Sequence, residues 1–213
     1  MSAAREEILA RIQKAKAGAE ALDYGAIPRH YRHRGALDAE ARITLFIERL
    51  HDYDATVYRT AAPALAQTIA EALSARGKRR LAIPASLPEA WLPPEFEFVR
   101  DDMASGGLSY AELDAIDGAI TGCLAAVAFT GTIILRHGKG EARRALTLIP
   151  DYHLCVVGTE QLVETLPEAI ARVRDFRHSP LTTVSGPSAT SDIEMTRVKG
   201  VHGPRTLDVV LVG

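Results

Sequence analysis

Small hydroxyl side chains surround a Gly-Pro pair in the segment Ser185-Gly186-Pro187-Ser188-Ala189-Thr190-Ser191-Asp192-Ile193-Glu194. An extended stretch leads into this segment, and Ser191 and Glu194 have the spacing of a capping box at a helix start. The pattern predicts a strand–turn–helix junction at the carboxyl end of a strand, where open α/β sheets collect their ligands. Unpaired amides at a helix start, together with these hydroxyls, suit a carboxylate or a phosphate.

The acidic end of this segment has two interpretations. Glu194 could serve as a nucleophile or a general base. Alternatively, Ser191 and Glu194 only cap a helix while the other hydroxyls satisfy a turn, and caps of this kind are common. Both interpretations stay open at the level of the sequence.

A second candidate is the short segment Gly200-Val201-His202-Gly203-Pro204-Arg205. Two glycines and a proline in six residues impose an unusual backbone path and hold an imidazole close to a guanidinium along the chain. Arg205 could bind an anion through two parallel hydrogen bonds, and His202 could donate a proton. The alternative is a tight connection into the last strand with both side chains in solvent.

The weakest candidate is Thr130-Gly131-Thr132, which directly follows an apolar run. It could bring backbone close to a ligand, or it could mark a turn between two strands. With the two segments above it defines the expected site. Glu194 and His202 are its candidate catalytic residues, and its candidate ligand-binding residues are Thr130, Gly131, Thr132, Ser185, Gly186, Ser188, Thr190, Asp192, Gly203 and Arg205.

Alternating helical and extended patterns must position these residues. Helical periodicity favours helices over 4–17, 38–51, 64–76 and 159–174, with Asp38 and Thr159 as caps. Strands are predicted over 55–59, 81–83, 95–99, 154–157, 182–185 and 207–212, with two more around a turn at 130–131. A polar loop between 133–135 and 145–149 suggests a hairpin.

This rhythm predicts an α/β fold with an open, mainly parallel sheet, helices on both faces and an added antiparallel hairpin. Residues 1–35 are expected to form a helix and a basic arm, and residues 36–213 a single α/β domain.

Composition limits the possible partners and compartments. The 213 residues carry 25 basic and 27 acidic side chains, so the overall charge does not favour electrostatic binding of nucleic acid. The longest apolar run, Cys123–Phe129, is far shorter than the ~20 residues of a membrane span. Charged residues near the N-terminus do not fit a signal peptide, and two cysteines cannot build a metal cage. We therefore expect a cytoplasmic protein without a metal site.

Read together, the motifs resemble the lactate-utilization-domain (LUD) family. The resemblance rests on Thr121-Gly122, on Thr130-Gly131-Thr132, on Leu148-Ile149-Pro150-x-x-His153, and most firmly on the two segments over 185–194 and 200–205. It implies a fold similar to that of ribose-5-phosphate isomerase, glucosamine-6-phosphate deaminase and the coenzyme A transferases. Phe129 and Ala189 depart from the family pattern, which often has an acidic residue and an arginine there.

The resemblance implies a role in the oxidation of L-lactate to pyruvate together with iron–sulfur and cysteine-rich partner proteins. Without a cluster-binding cysteine motif, this chain is expected to bind no cofactor itself and to act as a non-redox accessory component that holds a small anion. The alternative is a free-standing transferase or isomerase that uses Glu194, because coenzyme A transferases of the related fold use a glutamate nucleophile.

Overall fold

A computed structural model describes residues 3–18, 23–137, 143–176, 178–191, 197–200 and 202–213. The chain divides into two compact units, Met1–Tyr31 and Arg32–Gly213. The first contains helix α1 (Ala3–Lys16), none of whose residues is buried, and a 3₁₀ turn over Tyr24–Ala26. The second unit contains the folded core.

The second unit alternates helices and strands as the sequence pattern predicts. Its helices, within the described residues, are α2 (Ala39–Asp52), α3 (Leu65–Ala75), α4 (Tyr110–Asp114) and α5 (Leu166–Val173). Its described strands are β1 (Thr56–Thr60), β2 (Arg80–Pro84), β3 (Glu97–Asp101), β4 (Gly118–Thr121), β5 (Ala125–Val127), β6 (Thr132–Arg136), β7 (Tyr152–Gly158), β8 (Leu162–Val163), β9 (Leu181–Val184), β10 (Ala189–Ser191), β11 (Arg197–Lys199) and β12 (Thr206–Val212).

Six of these strands form a parallel sheet in the order β1-β12-β7-β4-β2-β3. A second sheet has the order β8-β5-β6-β9, in which β6 runs antiparallel to both of its neighbours. β10 and β11 pair antiparallel as a separate ribbon. The predicted fold class is confirmed, and β3 lies at an edge of the parallel sheet.

Side-chain alternation along the strands divides the core into two layers. On one face of the parallel sheet, Leu154, Val156 and Val210 pack against α3. On the other face, Leu207, Val209 and Leu211 pack against α2 and the second sheet. The strands are apolar on both faces, as expected when each face of a parallel sheet is covered.

The hairpin predicted between 133–135 and 145–149 is wrong. Residues 145–149 form turns, in which the Thr147 amide donates to Arg144 and the Ile149 amide donates to Ala145. β6 already has β5 on one side and β9 on the other, so neither of its edges is available to a further strand. An antiparallel hairpin is instead formed by β5 and β6 around Gly131.

The helix predicted from Thr159 begins later than expected. Thr159–Gln161 forms one 3₁₀ turn, and Leu162 and Val163 are buried as strand β8 beside β5. The cap is Thr165, whose amide and hydroxyl both donate to Glu168. On α5, the side chains of Leu166 and Ile170 are exposed. Burial of Leu162 and Val163 in a sheet therefore overrides the helical spacing of the segment.

One buried carboxylate lies between α3 and the parallel sheet. Asp208 is fully buried and accepts two hydrogen bonds from the Arg76 guanidinium, at 2.7 and 3.1 Å. It also accepts a hydrogen bond from the Tyr152 hydroxyl at 3.0 Å. Burial raises the pKa of Tyr152, which keeps that hydroxyl protonated and able to donate.

A second buried carboxylate anchors the start of the second unit. Glu164 accepts hydrogen bonds from the amides of Ala36 and Leu37, at 2.6 and 2.7 Å, and from the Arg32 guanidinium. A Cβ atom at Gly35 would lie 2.2 Å from this carboxylate, so only glycine allows the backbone to approach so closely.

The Asp208 environment generates a stability prediction. We expect Arg76→Ala to lower the free energy of unfolding by about 3 kcal/mol, because it leaves a buried carboxylate without its cation. Arg80→Ala is the matched control: it removes an exposed pair with Glu97 and should cost less than about 1 kcal/mol. Urea unfolding followed by circular dichroism measures both losses, and equal losses would contradict the prediction.

Candidate functional site

A partly open pocket of about 230 Å³ lies between the second sheet and the amino-terminal ends of β7 and β12. It is smaller than the pockets of roughly 300–1,000 Å³ that hold drug-sized ligands, so it suits a small metabolite. Its walls come from four stretches of chain. The lining residues are Arg144, Thr147, Leu148, His153, Thr182, Thr183, Val184, Ser185, Gly186, Pro187, Ser188, His202, Gly203, Pro204 and Leu207.

Five of the expected site residues line this pocket. They are Ser185, Gly186, Ser188, His202 and Gly203. Two more connect to it through hydroxyls: Thr132 shares a 2.8 Å hydrogen bond with Ser185, and Thr130 shares a 2.7 Å hydrogen bond with Thr132. The structure thus brings together parts of all three motifs.

Ser188 joins the two C-terminal motifs. Its amide donates to the Pro204 carbonyl and its carbonyl accepts from the Gly200 amide, at 2.8 and 2.9 Å. Its hydroxyl accepts from the His202 amide at 3.0 Å. Accepting this hydrogen bond uses a lone pair of the hydroxyl oxygen. The proton of the hydroxyl can therefore be donated to a ligand in the pocket.

The junction predicted after Ser185 does not have the expected form. Ala189–Ser191 is strand β10, which pairs with β11, so Ser191 lies in a strand ladder opposite Arg197 and not at a helix start. Asp192 and Glu194 lie outside the described residues, and of Thr190 the structure describes only the backbone.

The pocket also lies at a different edge from the one expected. It is at the carboxyl end of β9, but β9 belongs to the smaller sheet, and the parallel sheet contributes the amino ends of β7 and β12.

Arg205 is not among the lining residues. Its Nε and Nη2 atoms donate to the two carboxylate oxygens of Asp151, at 2.7 and 2.8 Å. This hydrogen bonding holds the pKa of Asp151 below its ordinary value. Arg205 was expected to bind an external anion through two parallel hydrogen bonds, but it makes these hydrogen bonds to Asp151 of the same chain.

Two glycines of the predicted site have a packing role. Gly131 and Gly186 have φ angles of 60° and 86°, and a Cβ atom would lie 2.8 Å from the Cβ of Arg49 and 2.4 Å from the Cβ of Tyr53, respectively. Both therefore allow close approach to the carboxyl end of α2, and Gly131 forms the turn between β5 and β6.

His153, which was not among the candidate site residues, also lines the pocket. Its side chain is buried in β7, and its Nε2 lies 2.8 Å from the Thr121 hydroxyl. Burial lowers the pKa of His153 to about 4, so the ring is neutral near pH 7. A clue was available: strand alternation places His153 on the same inward face as Cys155 and Val157, where a polar group needs a specific partner.

Arg144 supplies a cation to the pocket and was also missed, since the sequence suggested a solvated loop. Its Nη1 donates to the Thr182 hydroxyl at 2.9 Å, and the same hydroxyl lies 2.6 Å from His137 Nε2. Among the described residues that line the pocket, none is Asp or Glu. A wall of one guanidinium, two imidazoles and several hydroxyls without a carboxylate favours an anion.

Two further observations concern metals and membranes. Within the described ranges, no three His, Cys, Asp or Glu side chains are grouped as a metal ion would require. In the same ranges, no helix combines the length and apolar character needed to cross a bilayer.

Comparison with known proteins gives a family match over most of the chain. The family model described as LUD domain matches residues 43–212. A lactate utilization protein C of Deinococcus radiodurans is 44% identical over 216 aligned residues, which cover 99% of this chain and 96% of that protein. A lactate utilization protein C of an Exiguobacterium strain is 33% identical over 64% of this chain and 62% of its own length.

A solved structure has the same fold. The crystal structure of a DUF162 family protein from Deinococcus radiodurans superposes with a TM-score of 0.73 at 40% identity, covering 84% of this chain and all of that one. The two proteins are therefore similar in sequence as well as in fold.

The environment of His153 generates a pH prediction. Its pKa of about 4 in the folded chain lies below the ordinary value of 6.5, so the unfolded chain binds the extra proton first as the pH falls. Through His153, the free energy of unfolding therefore falls by about 3 kcal/mol as the pH decreases from 6.5 to about 4. Above pH 6.5 this stability is fully present.

We therefore expect His153→Gln to reduce the difference in unfolding free energy between pH 7 and pH 4.5, measured by urea denaturation. His51→Gln, at an exposed position on α2, is the control and should retain the pH dependence of the wild type. A His153→Gln variant with the unchanged wild-type pH dependence would contradict the prediction.

Proposed function

This chain belongs to the LUD-domain family, and from that membership and its pocket we propose that it is an accessory component of L-lactate utilization. In this role it binds a small carboxylate or phosphate and leaves electron transfer to iron–sulfur and cysteine-rich partner proteins. Relatives named lactate utilization protein C, one of them 44% identical, support the metabolic assignment.

The observation that carries the anion proposal is the composition of the pocket wall. Arg144 and the hydroxyls of Thr182, Ser185 and Ser188 offer donors, while the described lining residues include no carboxylate that would repel an anion. The size of the pocket, about 230 Å³, favours a metabolite of a few carbon atoms over a nucleotide.

The accessory assignment follows from the cysteine content. The sequence has two cysteines, Cys123 and Cys155, and both thiols are buried. The usual cluster ligand set is four thiolates, so this chain cannot supply a full set alone. Oxidation of lactate removes two electrons, and the proposal assigns their acceptor to a partner protein.

A binding experiment tests the anion proposal. We expect L-lactate, pyruvate or inorganic phosphate to bind the purified chain in isothermal titration calorimetry, and Arg144→Ala to weaken the affinity about tenfold through loss of a charge-assisted hydrogen bond. Arg59→Ala, which removes an exposed arginine paired with Glu40, is the control and should leave the affinity unchanged.

The same titration decides between the two arginines. Arg205→Ala should alter the affinity by less than about threefold, since a threefold change is only about 0.6 kcal/mol and Asp151 already occupies that guanidinium. A tenfold loss of affinity for Arg205→Ala, with no loss for Arg144→Ala, would show that Arg205 contacts the anion and Arg144 does not. Absence of binding by all three anions would overturn the proposal.

Growth and affinity purification test the metabolic role. We expect deletion of the gene to abolish growth on L-lactate as sole carbon source, and the wild-type gene to restore it. The tagged chain, purified from lactate-grown cells, should bring with it proteins that contain iron–sulfur clusters. Normal growth of the deletion strain together with no such proteins in the purified sample would contradict the accessory role.

A further inference from the structure

His153 is a buried polar side chain that opens into the pocket. It is 2% exposed and lines the cavity. Its Nε2 is hydrogen-bonded to Thr121, whereas no partner for its Nδ1 is present among the described residues. Nδ1 is therefore available to a ligand or a water molecule in the pocket.

The tautomer of His153 follows from where Thr121 can place its proton. The Thr121 side chain is fully buried, and its hydroxyl has two candidate acceptors, His153 Nε2 at 2.8 Å and Cys155 Sγ at 3.9 Å. The short hydrogen bond to nitrogen is much the stronger, since sulfur is a weak acceptor. When Thr121 donates to Nε2, the ring proton of His153 is on Nδ1, and this is the tautomer on which the proposal below is built.

A neutral Nδ1–H group recognises a neutral oxygen. It donates one hydrogen bond without adding charge, while Arg144 supplies the charge that a carboxylate needs. Both a hydroxyl oxygen and a carbonyl oxygen accept such a hydrogen bond, whereas a methylene group at the same position leaves the N–H unsatisfied.

We propose that His153 binds the oxygen on C2 of the acid in this pocket, so that the site selects 2-hydroxy and 2-oxo carboxylates over unsubstituted ones. The proposal rests on the proposed function and specifies the ligand class of the same pocket. Thr121 is a positioning residue in this scheme, because it fixes the tautomer of His153 without touching the ligand.

The scheme also accounts for both members of a redox pair. The hydroxy acid and the oxo acid differ at C2 by two hydrogen atoms, and a single donor serves both. We therefore expect L-lactate and pyruvate to bind with affinities within about threefold of each other. Propionate, which has the same carbon skeleton without the C2 oxygen, should bind about tenfold more weakly because its methylene leaves a buried donor unpaired.

Calorimetric titration of the full chain with L-lactate, pyruvate and propionate tests the proposal. His153→Leu should reduce the affinities for lactate and pyruvate to that for propionate, and should leave propionate within about twofold of its wild-type value. His51→Leu, at an exposed histidine on α2, is the matched control and should change none of the three. Circular dichroism verifies that each variant is folded.

A second pair of variants tests Thr121 and covers the case in which His153→Leu does not fold. Thr121→Ser keeps the hydroxyl and should keep the preference for lactate over propionate, whereas Thr121→Val should lose it. Long-range ¹H–¹⁵N NMR spectra of the imidazole should show the proton of His153 on Nδ1 in the wild type. A proton on Nε2 would overturn the assignment.

The outcomes separate this proposal from the one it rests on. If none of the three acids binds, the anion pocket itself fails. If lactate and propionate bind equally, or if His153→Leu weakens all three acids to the same extent, the pocket remains and the role of His153 in recognising the C2 oxygen is overturned.

Discussion

Insertion of the last strand between two earlier ones is the constraint on which the rest of the structure depends. β12 lies between β1 and β7, both of which come earlier in the sequence. Its side chains contribute to both core layers. Neither layer is complete until the end of the chain is in place, so the fold relies on contacts that are distant in sequence.

The same insertion builds the pocket. Residues 202–204 directly precede β12, and Leu207 lies within it, so this wall takes its position from the strand. The ion pair of Arg205 with Asp151 links the entry to β12 with the entry to β7. Asp151 and Arg205 thus pair across two adjacent strand starts, outside the lining of the pocket.

Most of the elements could be predicted because their signals are local. The Asp38 cap and the apolar stretches of β7 and β12 depend on neighbouring residues and are confirmed. The failures at 145–149, at Thr159 and at Ser191 share one cause. In each, the deciding partner is a strand or a turn that the local pattern cannot indicate.

The candidate site also combines residues that local sequence patterns indicate with residues that they do not. Ser185, Ser188 and His202, which line the pocket, lie in compact motifs with unusual backbone residues. Arg144 and His153 come from other parts of the chain, one from a turn and the other from a buried strand. They line the pocket because the second sheet packs over the parallel one, and the spacing of residues along the sequence does not predict that packing.

The anchoring of residues 32–37 by Glu164 has a consequence for where this domain begins. The family model starts at residue 43, yet Glu164 lies within the matched region and takes its three donors from Arg32, Ala36 and Leu37. A chain shortened to the matched region would keep this carboxylate in the interior with every donor removed. The family model therefore begins later than the folding unit, which also includes the donors that satisfy this buried carboxylate.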